Sequence, residues 1–79
     1  MPSDFRREMV PQIYSEVFKL RVRIQAFTEE EGRTYESRSE AWKSSVAGEQ
    51  GRNYVDALAD VFADLEEAED MLWRLCRER

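Results

Sequence analysis

A chain of 79 residues, 42% hydrophobic and 37% charged, is one folding unit, and at this size it hides only about 60% of the surface its unfolded form exposes. Twelve Lys and Arg stand against 17 Asp and Glu, a net charge of −5, with no histidine and one cysteine; an internal disulfide, a zinc site and a Cys/His catalytic pair are excluded within one chain. No apolar run approaches the roughly 20 residues of a membrane span, and the opening Met-Pro-Ser-Asp lacks a cationic and apolar leader, so no membrane contact and a cytoplasmic setting are expected.

The charge is unevenly spread. Residues 1–28 hold five cations against three acids, or +2, and residues 29–79 hold seven against fourteen, or −7. Between Asp56 and Asp70 lie seven acids and no base. Phosphate contacts depend on clustered Lys and Arg, so nucleic acid is not the expected partner and could touch only the N-terminal third.

In chain order, the first apolar stripe is Val10, Ile13, Val17, Leu20, Ile24 and Phe27, at intervals of three and four. That spacing predicts one face of a helix. Pro11 has no amide hydrogen to donate and fits a first turn, which puts the expected start near it, with residues 3–10 as a separate turn. The stretch FKLRVRIQAF, residues 18–27, also alternates as a strand would, but the alternation covers five apolar residues and no other segment alternates to pair with it. A lone strand would need a partner across a dimer.

Residues 28–51 are polar, with Gly32, Gly48 and Gly51, and Tyr35, Trp42 and Val46 as the large apolar groups. Ser37 and Ser39 are expected caps of a short helix ending before Gly48. The second long stripe, Tyr54, Leu58, Val61, Leu65, Ala68, Leu72 and Leu75, predicts a helix over about 52–77. Asn53 is its expected cap, Asp56 suits the positive end of its dipole, and Arg74, Arg77 and Arg79 suit the negative end. Burial of the seven stripe positions at about 1.5 kcal/mol each is worth on the order of 10 kcal/mol, as much as a domain's net stability. Tyr14, Phe18, Val55, Phe62, Trp73 and Cys76 widen the stripes beyond what two helices cover. A third layer is therefore expected, either the middle segment folded back or a second chain.

Three resemblances follow from particular residues. Glu29–Ala68, with its acidic opening Glu29-Glu30-Glu31, the step Ser44-Ser45 to Gly48-Glu49 and the run Leu65-Glu66-Glu67-Ala68, resembles the small acidic helical proteins carried by phages and prophages; this implies a mobile-element origin and a helical hairpin. The run RVRIQAF followed by two helices, with Ser37-Arg38-Ser39-Glu40 opening the second, resembles the ribbon-helix-helix DNA-binding family, which would assign base contact to Arg21, Arg23 and Gln25. Its first helix would be Thr28–Glu36, which offers Tyr35 alone to a dimer core. Asp56, Asp60 and Asp64, with Glu67, form a row that resembles the magnesium-binding carboxylates of all-helical nucleotide pyrophosphatases. Those enzymes divide their acidic pairs between two helices, and here the spacings Glu66/Glu69 and Glu67/Asp70 fall on one.

The expected fold is all-α: a hairpin of two long amphipathic helices with a short middle helix, one domain over residues 1–79, completed by dimerisation. The expected function is a non-catalytic protein-protein interaction module, a phage-derived regulator or inhibitor of a host protein, counter-defence included. The ribbon-helix-helix regulator is the alternative. Trp42, Asp56, Asp60 and Asp64 are the expected partner-binding residues, with no catalytic residue, metal or cofactor. Lys19 and Arg23, four apart, are expected to face the acidic row across the hairpin at roughly 0–1 kcal/mol per pair, leaving Arg6 and Arg7 for a partner.

Overall fold

The computed structural model describes the backbone of residues 2–78 and the side chains of residues 8–78. Helix α1 spans Pro2–Glu36, α2 Glu40–Lys43 and α3 Val46–Arg77. The two long helices pack on each other and α2 rests on α3, so the architecture is an all-α helical hairpin, with no strand among the described residues. FKLRVRIQAF lies within α1, and the strand required by the ribbon resemblance is absent.

Three boundaries differ from the sequence expectation. Helix α1 runs through Pro11 instead of starting near it, although a proline inside a helix forfeits one backbone hydrogen bond. At its other end α1 continues past Phe27 to Glu36, through Gly32; Glu29 and Arg33 stand four apart in the favourable order, and Arg33 suits the helix's negative end. Helix α3 starts at Val46, capped by Ser45, whose hydroxyl accepts from the Gly48 amide. The expected cap Asn53 is therefore an interior helical residue, as are Gly48 and Gly51. The short middle helix is present, with Ser39 as its cap accepting from the Trp42 amide. Arg79 and the side chains of Arg6 and Arg7 lie outside the described residues.

The hairpin is a rod of 62 × 17 × 15 Å with a radius of gyration of 18.0 Å, against about 12 Å for a compact domain of this length. The seam between the long helices is formed by Val10, Tyr14, Val17, Arg21, Ile24, Thr28 and Tyr35 on α1 and Gly51, Val55, Leu58, Phe62, Leu65, Leu72 and Cys76 on α3, all half-buried. Two expectations are corrected here. Half of each apolar stripe faces the seam and half turns away, because the polar pair Arg21–Glu69 and the aromatic pair Tyr14–Trp73 occupy the seam's other edge. Of the two third layers expected, the middle segment folded back is not formed; its four-residue helix covers only the start of α3. Gly48 is the one buried residue among those described.

Candidate interaction surface

The closed end of the hairpin is the most tightly built part. Tyr35 and Trp42 meet edge to face with centroids 6.0 Å apart, an arrangement that suits the ring quadrupoles. The Arg38 guanidinium lies 4.7 Å over the Trp42 ring and the Lys43 ammonium 5.6 Å from the Tyr35 ring. A methyl group at Gly51 would come within 2.9 Å of the Trp42 ring, and one at Gly48 within 2.1 Å of the Trp42 carbonyl oxygen. Trp42 is thus a half-buried packing element locked over α3. Lys43 donates to Glu36 at 3.2 Å, which, with the charges of Glu36 and Glu40, holds its ammonium above the ordinary range.

Along one edge of the seam, the Arg21 guanidinium forks onto the Glu69 carboxylate through Nε and, at 3.4 Å, through Nη2. The hydrogen bond to Glu69, opposed by desolvation and aided by the charges of Glu69 and Glu66, raises the Arg21 pKa further. Arg21 also lies 5.2 Å from the Phe18 ring centre, and Tyr14 meets Trp73 at 5.7 Å. Lys19 and Arg23 are exposed; the cross-hairpin ion pair is made by Arg21, two residues from each, because that position faces the seam. Sequence reasoning missed Arg21 and Glu69 as seam residues. The available signal was that Arg21 is seven residues from Tyr14 and from Thr28, which share its face.

Asp56, Asp60 and Asp64 are all exposed on α3. Asp56 borders a shallow groove of about 450 Å³ shared with Gly32, Tyr35, Arg52 and Val55, whereas Asp60 and Asp64 step away from Trp42 along the helix. Trp42 and the three aspartates therefore do not form one cluster. Among the described residues, no group of three Asp, Glu or Cys is placed to hold a metal ion, and no helix is long and apolar enough to cross a membrane.

Large apolar side chains also stand exposed on both long helices. Ile13 (40% exposed), Leu20 (45%) and Phe27 (41%) recur every seven residues along α1, and Tyr54 (50%), Val61 (44%) and Leu75 (52%) follow the same repeat on α3. A groove lined by Leu20, Ile24 and Phe27 has Arg23 on its rim. Exposed large apolar side chains therefore recur in a row on each long helix. Nothing among protein-family models, curated proteins or solved structures matches this chain.

Proposed function

We propose that the protein is a non-catalytic protein-protein interaction module, dimeric and built to occupy a surface of another protein. The observation that carries this reading is the imbalance between core and surface. Among the described residues Gly48 alone is buried, while apolar side chains on both long helices stand 40% or more exposed. Such a chain reaches ordinary stability by covering those groups with another polypeptide. The absence of histidine and the single half-buried cysteine fit a module without nucleophilic chemistry. Asp56 and Asp60, on the outward side of α3, offer a basic partner a negatively charged strip. Asp64 continues the strip, and Trp42 fixes its orientation at the closed end. The resemblance of Glu29–Ala68 to phage-borne acidic helical proteins extends the role to regulation or inhibition of a host protein.

The test is affinity capture from bacterial lysate with the unmodified chain and with a D56K/D60K variant whose helix content is checked by circular dichroism. The expected result is a protein retained by the first and lost by the second. Equal recovery by both would remove the acidic strip from the reading, and recovery of nothing above control would overturn it.

A further inference from the structure

We infer that the face carrying Ile13, Leu20 and Phe27 of α1 and Tyr54, Val61 and Leu75 of α3 is covered by the same face of a second copy. The product is a four-helix bundle in which α1 of each chain lies antiparallel to α3 of the other. The inference rests on the interaction-module reading and deepens it by naming the first partner as the chain itself.

The two outer rows lie on one side of the hairpin. Each α1 row member stands one residue before a seam residue: Ile13 before Tyr14, Leu20 before Arg21, Phe27 before Thr28. The same offset holds on α3, where Tyr54 precedes Val55, Val61 precedes Phe62 and Leu75 precedes Cys76. Both helices are right-handed and antiparallel, so an equal offset turns both rows toward the same side. With the seam's nearer half they form one continuous apolar face.

That face is self-complementary in height. The cross-helix contacts Arg21–Glu69, Tyr14–Trp73 and Tyr35 against Gly51 place Leu20 within about one turn of Ala68 in height and Phe27 within about one turn of Val61. A two-fold axis along the hairpin preserves these levels and seats Leu20 of one copy beside the small Ala68 of the other without sliding either chain. Large against small is the packing that knobs and holes require.

Charge selects this axis over one running across the helices. The crosswise axis would lay α3 on α3, and α3 carries seven acids and no base between Asp56 and Asp70. The lengthwise axis instead lays α3 on the part of α1 that bears the exposed cations Lys19 and Arg23 against the single acid Glu16. It brings Arg23, on the rim of the apolar groove, to the flank where Asp64 of the other copy stands about one turn away in height.

The area is sufficient. The chain exposes 6428 Å², about 1,400 Å² more than a compact monomer of its mass. Removing half of that excess from each copy gives a standard interface of about 1,400 Å² in total.

The experiment uses the full chain. Light scattering after size exclusion at tens of micromolar is expected to give the mass of two chains; the mass of one overturns the inference. Arg23→Asp and Asp64→Arg change exposed residues and leave the single chain's seam intact. Each is expected to weaken the dimer about 5-fold, with the double variant restoring it; single variants without effect, or a double variant no tighter than either, overturn the lengthwise arrangement. In a Cys76→Ser background, Leu20→Cys chains mixed with Ala68→Cys chains are expected to cross-link as mixed dimers. Leu20→Cys chains that cross-link mainly with themselves overturn it also. A dimer that captures no foreign protein leaves this inference standing and removes the wider reading. A single chain whose captured protein is lost on Leu20→Glu assigns the face to that protein, which ends this inference and keeps the wider reading.

Discussion

The closed end and the open arms of the hairpin are held by different means. At the closed end, Ser39 and Ser45 cap two successive helices, Trp42 wedges against Tyr35, and Gly48 is buried under the Trp42 and Lys43 carbonyls. Local sterics there leave the chain one path. The arms are joined by a seam in which every residue is only half-buried as a whole and which includes Arg21, Thr28 and Glu69. The turn specifies that there is a hairpin, and the arms are held by partly exposed contacts.

The sharpest way to break this contrast is Gly48→Ala. Alanine ordinarily favours a helix over glycine by about 1 kcal/mol, but the added methyl would sit 2.1 Å from one backbone carbonyl oxygen and 2.5 Å from another. Overpacking against backbone outweighs propensity, and a loss of about 3 kcal/mol or more is expected in thermal melts followed by circular dichroism. Trp42→Ala removes the wedge over Gly51 and Tyr35 and is expected to cost about 2 kcal/mol, less than a fully buried tryptophan because Trp42 is only half-buried. Loss of the near-ultraviolet aromatic signal should accompany it.

In the arms the same kinds of change should act with the opposite sign. The Thr28 hydroxyl is buried in the seam without a hydrogen-bond partner, so Thr28→Val, similar in shape, is expected to stabilise by about 1 kcal/mol in denaturant titration. Gly32 has nothing within 4 Å of where a methyl would go, and Gly32→Ala is expected to raise stability by about 0.8 kcal/mol, the helix-propensity gain without the clash. A destabilised Gly32→Ala would show that the arm at that level is packed as tightly as the turn.

The smallest effect is on pH dependence at the turn. Lys43 is held above its ordinary 10.5, first by its hydrogen bond to Glu36 and then by the charges of Glu36, Glu40 and Tyr35. A raised folded value means that the lysine's contribution is present in full below about 10.5 and is lost as pH rises through the folded value. Melting temperatures taken on the alkaline side should therefore fall more steeply for the unmodified chain than for Lys43→Met.

Legibility from sequence followed the length of the signal. Six stripe positions over residues 10–27 and seven over 54–75 were enough to show two long helices and to settle FKLRVRIQAF as helical, because a repeat sustained over several turns outweighs a five-residue alternation. The boundaries failed where single residues were taken as punctuation. Pro11 stands inside α1, and Gly48 and Gly51 inside α3; in each case neighbouring turns continue the helix, and the glycines serve close packing under Trp42. Asp56, Asp60 and Asp64 lie exposed on α3, as the helix expected over about 52–77 implies, while Trp42 packs on Tyr35 and over Gly51 of its own chain. Its packing depends on Gly51, nine residues away, which no local spacing rule connects to it.

By itself the sequence determined the two amphipathic helices, the acidic C-terminal half and the lack of histidine chemistry, since periodicity, charge and residue type are properties of the chain alone. Only the tertiary structure decided which side of each stripe meets the other helix. That choice turns on Arg21 reaching Glu69 and Tyr14 reaching Trp73 across 48 and 59 residues of chain. Pairing at such separations is fixed by the geometry of two antiparallel rods, and the same geometry turns the outer halves of both stripes toward one side.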